Sequence, residues 1–139
     1  MQLKQVLTGA VLALVGGVAV GGVYAPAPLK IDFDNRFASG DMYSARLSAN
    51  PDALIGCGIR SPAPGFTFAF CQASVGPTDA DYVSCSTEDP AHLATIGAMD
   101  DFSWVSFRWD ADGNCTAVGN STQSLYLPVF FSPGSPAKK

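Results

Sequence analysis

The stretch DADGN is the part of this sequence whose residue types most suggest chemistry. Its side-chain oxygens, on Asp110, Asp112 and Asn114, are of the kind that calcium prefers, so it is a weak candidate metal site. A calcium loop of the EF-hand type needs glycine at its sixth position and glutamate at its twelfth. Here the glycine is Gly113, at the fourth position, and the twelfth residue is Ser121. We therefore expect the turn of a β-hairpin, with no metal or other cofactor.

The residues around this turn also predict how its two strands are paired. A three-residue loop over 111–113, with Gly113 in the left-handed conformation, places Cys115 opposite Trp109. A two-residue loop would instead place Cys115 opposite Asp110, and a one-residue slip turns every side chain to the other face of the sheet. We expect the three-residue loop, because it puts the cysteine on the apolar face of the hairpin.

The four cysteines, Cys57, Cys71, Cys85 and Cys115, predict disulfides. Zinc sites need closely spaced pairs such as C-x2-C, and the sequence contains none. The first three cysteines are spaced 14 residues apart, with turn-forming residues between them. In a three-stranded meander, Cys71 would lie near both neighbours but could bond only one of them. We favour Cys57–Cys71, which leaves Cys85–Cys115.

The N-terminus has the plan of a secretory signal peptide over residues 1–25. Lys4 precedes a long apolar stretch, which ends in the small residues of a cleavage site at Ala25. The alternative is a membrane anchor, which the length of the stretch would marginally permit. Five glycines within it, and the prolines that follow at Pro26 and Pro28, favour a cleaved signal. We expect a protein that is secreted or periplasmic, with no membrane attachment after cleavage.

The rest of the chain predicts a mainly β domain with two disulfides. The expected fold is a small antiparallel sheet or sandwich of five to six strands, with one short helix over 90–99 that begins at Asp89 and Pro90. An extended N-terminal arm over 26–50, with at most one short strand or turn, precedes the disulfide-stabilised domain of residues 51–131, and a flexible tail follows over 132–139. The predicted strands cover residues 53–61, 65–75, 81–86, 103–109, 114–120 and 123–129.

Charge and composition argue against several classes of function. Removal of Lys4 with the signal leaves seven basic residues against 12 acidic ones, a net charge of −5. An acidic body repels phosphate backbones, so we expect no nucleic-acid binding. His92 is the only histidine, and the paired carboxylates fall at turns and helix ends, where solvated acids are ordinary. We therefore expect that this protein is not an enzyme. A small secreted hydrolase is the least favoured of the alternatives.

The second predicted strand is apolar on both faces. Phe66, Phe68 and Phe70, which we call the Phe row, point to one side, while Ala69 and Cys71 point to the other. Two outcomes remain open. A sandwich or barrel would bury the row, or the row is an exposed patch that docks a protein partner or a second copy of this chain.

A carbohydrate-binding module is the alternative to an interaction module. Trp104, Tyr82 and Tyr126 would then supply ring surfaces on which sugars stack.

Several motifs together resemble a group of small secreted, disulfide-containing bacterial proteins. They are ASGDMYSARLSANPDALIGCGI, CQA, CSTEDPAHL, FRWDADGNCT and SLYLP, which span residues 38–128. No activity is established for that group, so the resemblance implies export and a shared disulfide fold but no reaction. The Phe row departs from the usual pattern of the group.

Overall fold

The computed structural model describes residues 23–128, so the predicted signal (except residues 23–25) and the predicted tail lie outside the described residues. Within this range the chain forms seven strands, two α-helices and two short 3-10 helices, Asp79–Asp81 and Ser124–Tyr126. The longer elements are β1 (Lys30–Asp32), β2 (Phe37–Asp41), α1 (Met42–Arg46), β3 (Leu54–Ala63), β4 (Phe66–Ser74), β5 (Tyr82–Thr87), α2 (Pro90–Gly97), β6 (Trp104–Trp109) and β7 (Cys115–Ser121).

The strands form two antiparallel sheets. One has four strands in the order β1-β2-β6-β7, and the other is a three-stranded meander in the order β3-β4-β5. One buried cluster takes side chains from both sheets and from Ile96 of α2, so the sheets pack on each other as a sandwich. The prediction of a mainly β fold with a short helix and two disulfides is confirmed.

The prediction of an extended arm over 26–50 is wrong for residues 30–46. Strand β2 lies between β1 and β6, where Ala38 is opposite Phe107 and is fully buried. Helix α1 follows directly, capped by the Asp41 side chain. The sequence of β2, FASGD, has little strand propensity of its own, and it becomes a strand because it pairs along β6.

The strand predicted over 123–129 is also not formed within the described residues. The chain makes the 3-10 helix Ser124–Tyr126 instead. The amides of Tyr126 and Leu127 donate to carbonyls three residues earlier, at 3.1 and 3.2 Å, so local bonds replace a strand ladder. The last residue of the predicted strand, Val129, lies outside the described residues.

The start of helix α2 agrees with the sequence. A carboxylate oxygen of Asp89 accepts the amides of Ala91 at 2.8 Å and His92 at 3.1 Å, and Pro90 occupies the first helical turn. The helix ends at Gly97, two residues before the predicted end.

Candidate functional site

The two disulfides determine which face of the meander points inward. Cys71 lies opposite both Cys57 and Cys85, as predicted, and it is fully buried. It bonds Cys57 across the β3-β4 hairpin, with 4.0 Å between their Cα atoms. Cys85 bonds Cys115 of the four-stranded sheet, so the second disulfide joins the two sheets. The predicted pairing is confirmed, and the cystine face of β4 faces the core.

The opposite face of β4 carries the Phe row on the outside of the sandwich. The side chain of Phe66 is 43% exposed, and those of Phe68 and Phe70 are half-buried. Neighbouring ring centroids are 5.8 Å apart for the first pair and 6.3 Å for the second, so the three rings form one continuous apolar stripe. The sandwich therefore forms without placing the row in its core.

A glycine on the neighbouring strand makes room for this stripe. Gly58 lies opposite Phe70, and a Cβ at that position would be 3.0 Å from the Cζ of the ring. Any larger residue would push the ring away from the strand. The next outward residue of β3 is Arg60, opposite Phe68, and its guanidinium carbon is 4.9 Å from the centre of the Phe70 ring.

A shallow groove runs along the other side of the row. It has a volume of about 430 Å³. Polar groups of β5 and of the following turn form its far wall, so apolar rings on one side face hydroxyl, amide and carboxylate groups on the other. The lining residues are Phe66, Phe68, Ser86, Thr87, Glu88 and Asn114.

The DADGN turn contributes Asn114 to this groove. Gly113 has a φ of +80° and Cys115 lies opposite Trp109, which confirms the three-residue loop. The backbone carbonyl of Gly113 accepts the amide of Ser86 at 3.0 Å, so the turn is attached to β5.

Hydrogen bonds within the turn engage both carboxylate oxygens of Asp110. One oxygen accepts the amides of Asp112 at 2.9 Å and Asn114 at 2.8 Å, and the other accepts the Asn114 side-chain amide at 2.9 Å. These bonds, above all the one from the Asn114 side chain, lower the pKa of Asp110. The carboxylate thus has a structural role in the turn, whereas calcium binding by Asp110, Asp112 and Asn114 remains a weak alternative.

The aromatic residues considered for glycan stacking lie on three different elements. Trp104 is half-buried on β6 of the four-stranded sheet, and Tyr126 is half-buried in the C-terminal 3-10 helix. Tyr82 is 38% exposed at the start of β5, where alternation with buried Val83 places it on the same sheet face as the Phe row. Only Tyr82 therefore shares a sheet with that row.

Several of the paired carboxylates at turns and helix ends have structural partners there. The Asp89 carboxylate caps α2, and the backbone amides that it accepts lower its pKa. Asp81 accepts the hydroxyl and the amide of Thr78. The Nδ1 atom of His92 lies 3.2 Å from the Thr87 hydroxyl, and the imidazole is half-buried. Each of these groups has a local structural partner.

One buried acid was missed by the reading of the sequence. Asp41 is 1% exposed, and its two carboxylate oxygens accept the amides of Ala27 at 2.6 Å and Ser44 at 2.5 Å. It caps α1 and holds the N-terminal segment against the domain. An aspartate followed by a helix-forming stretch, at Met42–Arg46, was the signal that could have identified it.

A cavity of about 400 Å³ lies between that N-terminal segment and α1. Tyr24 lines it, and burial followed by the negative charge of Asp41 raises the pKa of the Tyr24 phenol. Cleavage of the chain after Ala25 would remove this tyrosine from the cavity. It would also remove the hydrogen bond from the Ala25 amide to the Leu125 carbonyl.

No protein-family model, curated protein or solved structure matches this chain. Across residues 23–128 none of the helices has the length and apolar character needed to cross a membrane. The two disulfides indicate an oxidising compartment, such as the periplasm or the extracellular space. A function has to be inferred from the residues of the chain itself.

Proposed function

We propose that this protein is an exported, non-catalytic interaction module that binds a protein partner through the Phe row. This proposal rests mainly on one observation: Phe66, Phe68 and Phe70 form a continuous stripe outside the core of the sandwich. Contiguous exposed apolar patches are uncommon on monomeric proteins and mark interaction sites. The stripe has an apolar centre and polar edges, which is the usual composition of a protein interface.

Export is supported by two observations. The first 25 residues have the charge and apolar pattern of a secretory signal. The disulfides are of the kind that persist outside the cytosol. The mature protein would begin at Pro26 and act in the periplasm or outside the cell.

Binding is favoured over catalysis because the titratable groups around the row either serve the fold or stand alone, and Glu88 is the one acid or base among the residues that line the groove. Asp89 and Asp110 are bonded to local backbone amides, and His92 lies beside a threonine hydroxyl. A catalytic site would need an acid or base directed at a substrate position.

A protein partner is favoured over a glycan for two reasons. Phenylalanine rings offer no hydrogen-bonding group to a sugar, whereas aromatic side chains are enriched at the centres of protein interfaces. The rings that could combine stacking with a polar group, Trp104, Tyr82 and Tyr126, lie on separate elements. A change of Trp104 fluorescence on adding soluble polysaccharide would instead support the glycan-binding alternative.

A pair of matched substitutions tests the proposed surface. Phe66 is 43% exposed within the row, and Phe33 is 42% exposed in the turn before β2, so replacing either ring by serine removes a similar exposed area. We expect Phe66→Ser to weaken association at least about tenfold, which corresponds to about 1.4 kcal/mol. Phe33→Ser should associate like the wild type, and both variants should keep the melting temperature of the monomer.

Association is measured in two ways on the oxidised mature chain. Size-exclusion chromatography with light scattering detects self-association, and immobilised protein captures partners from the native culture medium. A partner retained by the wild type and by Phe33→Ser, but lost from Phe66→Ser, would support the proposal. Equal behaviour of all three proteins in both assays would exclude the Phe row as the binding surface.

A further inference from the structure

The Phe row lies between a positive and a negative side chain. Arg60 of β3 is opposite Phe68. On the other side the pairing of β4 with β5 ends at Ala69 and Thr87, and Glu88 follows Thr87 directly. Glu88 also lines the groove beside the row, and both charged residues are exposed. The Phe row is therefore flanked by an arginine on its β3 side and by a glutamate on its β5 side.

We propose that the occupant of the Phe row is a second copy of this chain, bound face to face about a two-fold axis parallel to β4; this inference rests on the proposed function. Such an axis exchanges the β3 side of one copy with the β5 side of the other. It places Phe68 over Phe68 and brings Arg60 of each copy to Glu88 of the second copy. The surface is thus complementary to itself, as an isologous interface requires.

The charges also select this axis over the other face-to-face arrangement. A two-fold axis in the sheet plane but perpendicular to the strands would place Arg60 over Arg60 and Glu88 over Glu88. Like charges brought together in this way disfavour a complex, and opposite charges favour it. The DADGN turn, which supplies Asn114 to the groove and carries two carboxylates, adds to the negative character of the β5 side.

The free edge of the meander is less suited to a second copy than the face. The outer half of β3 contains Pro62, which has no amide hydrogen to donate, and its pairing is irregular between Arg60 and Ala63. Proline, bulges and charged side chains on an edge strand oppose pairing with another strand. Contact face to face over the aromatic rings is therefore favoured over pairing along the outer half of β3.

Charge reversal tests the proposed axis. Arg60→Glu would bring two acidic side chains together, and Glu88→Arg would bring two basic ones together. We expect each single substitution to raise the dimer dissociation constant at least about tenfold at low salt. The double variant Arg60→Glu/Glu88→Arg should restore it to within about threefold, because the pairs are again of opposite sign.

A matched control comes from the other sheet. The Arg108 guanidinium lies 4.8 Å from the centre of the Phe37 ring, nearly the same geometry as Arg60 over Phe70, and Arg108 is also exposed. Arg108→Glu changes the net charge by the same amount as Arg60→Glu, but it lies away from the proposed interface. It should therefore leave the dissociation constant within about threefold of the wild type. Sedimentation velocity on the oxidised mature chain measures all four variants, and circular dichroism confirms that each is folded.

Two results would overturn the second-copy proposal. One is a wild type that stays monomeric at millimolar concentration, and the other is a double variant that stays as dissociated as the single ones. Capture of a different partner that depends on Phe66 would then leave the proposed function standing. If association and capture are both insensitive to Phe66→Ser, the proposed function fails as well.

Discussion

The two sheets of the sandwich use their faces in opposite ways. Strand β6 of the four-stranded sheet places large side chains inward, because Val105 and Phe107 are almost completely buried. Strand β4 of the three-stranded sheet places small ones inward, and Ala69, Cys71 and Ala73 are fully buried. All five belong to one buried cluster, so the large residues of β6 and the small residues of β4 share one core. Close packing requires such matched volumes.

The outer faces show the reverse pattern. On β6 the outward residues are Trp104, Ser106 and Arg108, a mixture that suits a half-solvated strand. On β4 the outward residues are the Phe row. The comparison shows that the largest apolar residues of a strand do not identify its core face. Volume complementarity and the disulfides decide which side is buried, and the remaining apolar side is the surface that we propose binds a partner.

The largest expected effect separates an inward phenylalanine from an outward one. Phe107 is 1% exposed, so Phe107→Ala should lower the free energy of unfolding by about 3–5 kcal/mol. Phe68 is half-buried, so Phe68→Ala should lower it by only about 1 kcal/mol. Urea denaturation of the oxidised monomer measures both. Equal losses for the two variants would mean that the Phe row is part of the core.

The two disulfides provide the next comparison, because one lies within a sheet and the other joins the sheets. Replacing Cys57 and Cys71 by serine removes a link between residues 14 apart, and we expect a loss of about 3 kcal/mol. Replacing Cys85 and Cys115 removes a link between residues 30 apart. We expect a loss about 0.6 kcal/mol larger, because the closed loop is about twice as long.

Denaturant midpoints of the two double variants, measured without reductant, test this order. A variant lacking Cys85–Cys115 that proves more stable than the variant lacking Cys57–Cys71 would show that the link between the sheets matters less than its loop length implies.

The smallest expected effect concerns the turn that attaches the four-stranded sheet to β5. The Asn114 hydrogen bonds hold the pKa of Asp110 below its usual value of 3.8. Because the pKa is lowered in the folded state, the ionised carboxylate stabilises the fold at pH values above the unfolded-state pKa. This contribution is lost as the pH falls through the folded-state pKa. The stability difference between wild type and Asp110→Asn should therefore be constant above about pH 5 and shrink at lower pH.

Melting temperatures of both proteins between about pH 6 and pH 2 give this difference directly. The pKa values of Asp32 and Asp89 are also lowered by local hydrogen bonds, so total stability falls in the same acidic range. Asp112→Asn serves as the control, because it removes a charge from the same turn at a carboxylate that accepts none of the turn's hydrogen bonds. A wild-type and Asp110→Asn difference that does not change with pH would show that the turn does not depend on the charge of Asp110.

Local features of the chain determined much of this structure. The spacing of Cys57, Cys71 and Cys85 predicted the meander, its register and, with Cys115, the pairing of the disulfides. The same register places Arg60 opposite Phe68 and ends β5 at Thr87, just before Glu88, so the charges on either side of the row could also have been derived from the sequence. Such signals are readable because strands have a period of two and tight turns accept few residue types.

Only the tertiary structure decided which apolar face of β4 is buried and that residues 37–41 form a central strand. Alternation places the Phe row opposite Cys71 but does not say which side the second sheet covers. The five residues of β2 have weak propensity and gain their conformation by pairing with β6, more than 60 residues later in the chain. The buried carboxylate of Asp41 likewise bonds two segments only because Ala27 and the start of helix α1 meet there. These outcomes depend on contacts between distant segments, which no short window of sequence contains.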